Sequence, residues 1–355
     1  MQGLELSRRF YFEAVRPILE RDFPDLDHAA ARVGWGSEVL GFDDGTSQDH
    51  AWGPRLQLFL RDLSAAPAIR QRLADTLPTE FAGFPTHFGP TDEPGVVKMT
   101  AVGSGPVEHL VEVFVVGDYL RRWLGVDPLG GFTVADWLAT PSQRLLEATA
   151  GEVFVDPIGD LTRARERLAW YPHDVWLLVM AGHWRRIAQR EHLLGRAATR
   201  EDGLGSRVIA ASLARDLMRL ALVQARRYPP YPKWLGIAYA RLECPEGDAL
   251  ETLIAAPEWR DREDAFVTAV EAAARRHNEL AVTQELDAKV RQFWGRPFRI
   301  IGADRQADAL REAIADPAVR AAEQLAGSVD AISDNVDFLT QPKLWRQLVG
   351  LYDRS

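Results

Sequence analysis

The amino-acid sequence predicts an α+β protein, with a small mixed β-sheet domain over residues 1–160 and an all-helical domain over residues 161–355. Three observations lead there. In the first part, short runs rich in apolar and β-branched residues, at 29–33, 56–60, 107–116 and 152–156, are separated by turns and amphipathic stretches, as strands joined by helices are. From residue 161 onward, apolar residues recur at helical spacing with polar residues between them. The 355 residues suffice for two cores, while the longest apolar runs, at 111–116 and 175–182, are too short to cross a bilayer.

Taken in order, Leu4, Phe10, Ala14 and Ile18 lie on one face of a predicted helix over 4–19 that Pro24 ends. The run at 29–33 is a strand, and a Gly-rich turn and short helix follow it. A second strand covers 56–60 and a helix covers 66–76. Residues 82–95, heavy in Gly and Pro, read as a loop. Its Phe81, Phe84, Phe88 and His87 are either a lid or acceptor wall, or plain anchors. The strand at 107–116 leads into a helix from Gly117-Asp118 to Trp123. Residues 124–140 are loop and short helix, 141–150 a helix, and 152–156 a strand. The turn at 157–160 opens the helical part, and the domain boundary is placed there. Helices are predicted over 175–193 and 208–226, with Gly195 as a helix stop, then over 262–278, 279–294 and 305–314, and the tail from 317 to 353 also reads as helical.

Composition narrows the function classes. Against 42 basic residues stand 51 acidic ones, a formal charge of −9, which disfavours nucleic acid as a partner outside a local basic groove. A single cysteine, Cys244, allows neither an intramolecular disulfide nor a cysteine metal cluster. Glu5, Arg8 and Arg9 stand where a signal peptide needs an apolar core, so a cytoplasmic location is expected. No G-x-S-x-G, H-E-x-x-H or Walker A pattern occurs, and the eight histidines are scattered.

The chemistry concentrates in one stretch. Gly34-Trp-Gly-Ser37 is followed by Gly41, Ser47 and Asp49, and then by the strand. The backbone N–H groups of Gly36 and Ser37, at a helix start, are suited to hold nucleotide phosphates, with Ser47 as a further contact. Asp49 on the next strand is suited to hold a magnesium ion that bridges those phosphates. Side chains two apart on a strand share a face, so a second metal-binding acid belongs at position 51, and there the chain has Ala51. Glu112, mid-strand in an apolar run, is the third acid, with Glu108 as runner-up; the bland reading of Glu112 is a solvent-facing edge-strand glutamate. His50 points to the face opposite Asp49 and reads as a packed histidine. Arg55 either reaches a phosphate or pairs with a local acid. Asp43 and Asp44 read as solvated turn residues that are also the nearest substitutes for the missing carboxylate. In the helical part, Lys233, set between prolines and Trp234, is either a positioned charge for a nucleotide phosphate or an exposed lysine after a turn.

The segment Ser47-Gln-Asp-His-Ala-Trp-Gly-Pro-Arg55 resembles a bacterial family of uncharacterised nucleotidyltransferase-type proteins that carries Asp-His-Asp-Trp-Gly-Pro-Arg. The resemblance extends through Val111-Glu-Val, Pro141-Ser-Gln-Arg-Leu-Leu, Trp170-Tyr-Pro-His-Asp, Tyr231-Pro-Lys-Trp-Leu-Gly236 and Trp294-Gly-Arg-Pro-Phe298. It implies a kanamycin-nucleotidyltransferase-like arrangement: a mixed-sheet domain of the nucleotidyltransferase fold with a helical domain behind it. The expected function is then magnesium-dependent transfer of a nucleoside monophosphate, AMP from ATP, to an acceptor hydroxyl. A complete site holds two magnesium ions, one on the triphosphate and one lowering the pKa of the acceptor hydroxyl. The acidic balance favours a small-molecule acceptor over a protein or a tRNA end. Losing a metal ligand at position 51 removes ~3–4 kcal/mol of transition-state stabilisation, roughly 10² to 10³ in rate. Alanine there fits an inactivating substitution, a chain that keeps nucleotide binding without catalysis and regulates a partner, or a site in which Asp49, Glu112 and a loop acid suffice. Oligomeric state is not legible in the sequence.

Overall fold

The computed structural model describes residues 1–48, 50–322 and 327–352. Two compact units emerge: unit 1 comprises residues 1–132 and 144–169, and unit 2 comprises residues 133–143 and 170–355. The boundary read from the sequence at 160/161 lies between the crossings at 143/144 and 169/170. Both units have the character read from the sequence, a mixed sheet with helices in the first and helices in the second. No helix among the described residues is long and apolar enough to cross a membrane.

Unit 1 opens with a continuous helical run, α1 (Gly3–Phe10), a π-helical turn at Tyr11–Val15, and α2 (Arg16–Asp22). Pro17 sits in the first turn of α2; its ring and missing N–H disturb the hydrogen-bond ladder just before it, and the π turn lies there. Next come β1 (His28–Arg32), α3 (Ser37–Leu40), β2 (Arg55–Leu60) and α4 (Ala66–Thr76). The stretch expected as a loop at 82–95 instead holds parts of two small hairpins, β3 (Glu80–Phe81) with β4 (Phe84–Pro85) and β5 (Phe88–Pro90) with β6 (Val97–Met99). Here pairing is local and short, below what strand periodicity reveals. The unit closes with β7 (Leu110–Phe114), α5 (Val116–Leu124), the C-terminal part of α7, β8 (Glu152–Val155) and α8 (Asp160–Leu168). Before α7 (Ser142–Thr149) the chain makes the excursion that carries α6 (Val134–Ala139) into unit 2.

The main sheet has the order β7-β2-β1-β8, with β1 antiparallel to β2 and β8, and β2 parallel to β7. One face is apolar. Ala30, Leu56, Leu58, Leu60, Val111 and Val113 pack under Phe10, Tyr11, Val15, Ile18 and Leu19 of the N-terminal run and Ile69 and Leu73 of α4. Because successive strand residues point to opposite faces, the other face is built from Arg55, Gln57 and Phe59 of β2 beside Leu110, Glu112 and Phe114 of β7. Tyr119 of α5 covers the Phe59 and Phe114 end, its ring centroid 5.3 Å and 5.2 Å from theirs. The polar end of that face is what positions the site.

Unit 2 is built on α9 (His173–Ala198), α10 (Gly203–Gln224), α11 (Pro232–Ala240), α12 (Gly247–Ala255), α13 (Trp259–Glu279) and α14 (Asp304–Ala313). Two expectations fail here. Gly195 does not stop a helix: α9 continues to Ala198, and a Cβ on Gly195 would stand 2.4 Å from the Cβ of Phe298, so the glycine admits a close-packed ring. Nor is there a helix over 279–294. The chain leaves α13 with Ala281 in the left-handed region (φ 51°), and Asn278 exchanges hydrogen bonds with Leu286, accepting its N–H at 3.1 Å and donating to its carbonyl at 2.7 Å. A two-stranded ladder, β9 (Arg291–Gln292) with β10 (Arg299–Ile300), follows.

Candidate functional site

The turn between β1 and α3 is built around one buried arginine. Arg32, at the end of β1 and 1 % exposed, donates to the carbonyls of Val33 (2.8 Å) and Trp35 (2.7 Å), and from Nη2 to Glu38 Oε1 (2.7 Å). Arg55, the first residue of β2, donates from Nε to the same carboxylate oxygen at 3.0 Å. Two guanidiniums thus share one carboxylate, and all three side chains are buried, leaving one positive charge in excess. Burial alone would raise the Glu38 carboxyl, but the two arginines outweigh it and hold it down at about 2. Arg55 moves the other way: burial and the neighbouring Arg32 push it down to about 10 against the pull of Glu38. At neutral pH both directions leave Glu38 and Arg55 charged.

Gly36 is required where it stands. Its φ is 134°, and a Cβ there would lie 2.5 Å from Glu38 Oε2 and 2.8 Å from Arg55 Nη2. Ser37 opens α3, which is four residues long and ends at Gly41 in the left-handed region. The turn is also tied to the sheet. Val33 N–H donates to Gln57 Oε1 (3.1 Å), while Gln57 Nε2 donates to Glu112 Oε2 (3.2 Å). Gln57 and Glu112 are register partners on the parallel β2–β7 pair. The face therefore places a glycine turn with a serine, a buried cationic cluster and a carboxylate within one hydrogen-bonded network.

The residues singled out by sequence divide accordingly. Gly36, Ser37, Arg55 and Glu112 come together in unit 1. Glu112 is exposed and its strand is at the edge of the sheet, so its charge stays in water although it sits mid-strand in an apolar run. Glu108 precedes β7, which starts at Leu110 rather than at 107, and shares no strand face with Glu112. Asp49 lies outside the described residues. Ala51 is described, and it is not on a strand: β2 begins at Arg55, and Ala51 is 7 % exposed with φ 44°, its N–H donating to the Val97 carbonyl at 2.7 Å. Strand alternation therefore does not set the direction of the side chain at 51. Ser47 belongs to a turn closed by Asp44: its N–H donates to the Asp44 carbonyl (3.1 Å) and its Oγ accepts the Asp44 N–H (3.1 Å). Asp43 accepts the Gly3 N–H at 2.7 Å. Phe81 and Phe84 pack on Phe10 and Trp52 at 5.3 Å and 5.2 Å, Phe88 is buried, and His87 Nδ1 accepts the Glu108 N–H at 3.0 Å, as anchors do. Lys233 is carried by unit 2 at the start of α11, exposed, with Nζ 4.6 Å from the Trp234 ring centre.

Sequence reasoning missed Arg32, Glu38 and Gln57. Each left a signal: a charge ending an all-apolar strand run, an acid in the first turn of α3, and the one amide inside Leu56-Gln-Leu-Phe-Leu60. Polar residues at positions that pattern assigns to the interior need partners, and here they partner one another.

Among the described residues, no group of three or more His, Cys, Asp and Glu is arranged to hold a metal ion. Residues 137–235 match the family described as Domain of unknown function (DUF4037). The fold comparison finds similarity to a solved structure titled nucleotidyltransferase-like protein from Exiguobacterium sibiricum 255-15, at 14 % identity and a TM-score of 0.33, covering 82 % of each chain. No curated protein matches the chain.

Proposed function

We propose that unit 1 is a nucleotidyltransferase-type domain. It binds a magnesium-bearing nucleoside triphosphate, ATP in the first instance, at the 34–37 turn and beside Glu112, and transfers the nucleoside monophosphate to an acceptor hydroxyl of a small molecule. The observation that carries this reading is Gln57, whose two amide ends hold the glycine turn and Glu112 at once. A turn presenting backbone N–H groups and a carboxylate, kept in fixed relation, are the two parts that phosphate-plus-metal binding needs. The order Gly36-Ser37, Gly41, Ser47, Asp49 and the resemblance through Arg55 support the same reading.

Magnesium commonly takes only one or two protein carboxylates, with phosphate and water oxygens completing its shell. Glu112, exposed and with one oxygen engaged by Gln57, fits that role; Asp49, outside the described residues, is the second candidate ligand. When bound, the ion neutralises phosphate charge and polarises the reacting phosphoryl group. Arg32 and Arg55 keep the turn rigid through Glu38, and their excess charge attracts an anion. Gln57 orients Glu112.

Ala51 favours a second reading, a nucleotide-binding module that no longer catalyses transfer and regulates a partner. The position is buried and offers no ligand. The chain and its Ala51→Asp variant, each incubated with magnesium, labelled nucleoside triphosphates and cell extract, separate the two. Label transfer with pyrophosphate release, strengthened in the aspartate form, is expected for the transferase, and the labelled product identifies a small molecule, protein or tRNA acceptor. Nucleotide binding by both forms with transfer by neither supports the module. Binding by neither overturns both readings.

A further inference from the structure

Trp35 stands between Gly34 and Gly36 of the turn. Its backbone is pinned by the Arg32 guanidinium, which donates to its carbonyl at 2.7 Å. Its ring is pinned from one side by Arg55, whose guanidinium carbon lies 4.4 Å from the ring centre. Yet the residue is 44 % exposed, in a unit that buries Trp52 to 3 %. A large aromatic ring held on one side by a buried cation and partly open to solvent is a fixed, flat surface on which a planar group can stack.

Its place defines the ligand. Arg55 under the ring is two residues before Gln57 on β2, about 7 Å along the strand, and Gln57 is the register partner of Glu112. Trp35 is also the residue immediately before the Gly36-Ser37 pair. For a nucleotide whose phosphates lie at Gly36, Ser37 and Glu112, Trp35 is the adjacent aromatic ring on which the base can stack. The 34–37 turn offers no side-chain amide or carboxylate to read base edges, only the ring of Trp35 and the hydroxyl of Ser37. Stacking tolerates every base and rewards ring area.

We infer that Trp35 is the base platform of this site, stacking the nucleobase on the ring face opposite Arg55 and so favouring purine over pyrimidine nucleoside triphosphates. This inference rests on the phosphate-turn reading of residues 34–37.

The test is calorimetric titration of the full chain, with magnesium, using ATP, CTP and inorganic tripolyphosphate as separate probes. The variants are Trp35→Ala and Trp35→Phe. Removing a stacking ring weakens base binding by roughly tenfold or more, so Trp35→Ala is expected to lower ATP affinity about tenfold and leave tripolyphosphate unchanged. Trp35→Phe is expected to recover most of the loss, and the wild type to bind ATP more tightly than CTP. Unchanged ATP affinity in Trp35→Ala overturns the platform and leaves the phosphate turn standing. So does an equal loss for ATP and tripolyphosphate, which marks Trp35 as support for the turn alone. A wild type that binds neither ATP nor tripolyphosphate overturns the phosphate turn, and the platform with it.

Discussion

Replacing Glu38 by glutamine tests whether the Arg32–Glu38–Arg55 cluster holds the site together. The amide keeps the shape and removes the charge, leaving two buried guanidiniums, 1 % and 5 % exposed as residues, without a counter-ion. Two routes give the magnitude. Breaking a buried ion pair by removing one partner costs about 3–5 kcal/mol. Independently, the arginines hold the Glu38 carboxyl at about 2 against an ordinary 4.5; at 1.36 kcal/mol per pH unit this is ~3 kcal/mol of stability. The folded-state value is depressed, so the contribution is fully present above pH 4.5 and is lost as pH falls from 4.5 through about 2. Urea unfolding of wild type and Glu38→Gln at a series of pH values reads it directly. The variant is expected to be ~3 kcal/mol less stable at pH 7, a loss of roughly 6–12 °C in melting temperature, and the gap is expected to close between pH 4.5 and 2. A gap under ~1 kcal/mol at pH 7, or one that stays constant through the acid range, would refute the reasoning.

Three further outcomes are expected. Gln57→Leu strips the acceptor from the buried Val33 N–H and the donor from Glu112, so it should destabilise by about 1–3 kcal/mol; magnesium-dependent ATP affinity should fall with it, and calorimetry that finds binding intact would detach Gln57 from the site. Ala51→Asp places a carboxylate at a buried position whose left-handed backbone aspartate tolerates better than alanine; thermal melts should show a loss without magnesium that magnesium with ATP restores, and a loss insensitive to both would count against position 51 as a ligand. Gly195→Ala gains about 1 kcal/mol of helix propensity, yet its Cβ would meet Phe298 at 2.4 Å; overpacking of this kind costs about 1–3 kcal/mol or more, so a net fall in melting temperature is expected and a rise would contradict the packing.

What the sequence determined by itself is the part of the fold governed by local periodicity. The helix at 66–76 is found where it was read, and the strands at β1, β2 and β8 fall within a residue or two of their predicted runs, because an apolar face at fixed spacing states both the element and the side it buries. The Gly-Ser turn was legible for the same reason: residue type and short-range order carry it. What only the tertiary structure decided depends on groups distant in sequence. Ala51 was assigned to a strand face by alternation, but a hydrogen bond to Val97 and a left-handed backbone take it off the strand. Gly195 reads locally as a helix stop, and Phe298, a hundred residues later, makes it a contact instead. Arg55 was read with two alternatives, and Arg32, Glu38 and Gln57 left only local signals in the chain. Their charges and amides become affordable inside the protein only because folding brings them within hydrogen-bond distance of one another, and partnership between buried polar groups is a property of the assembled sheet and turn.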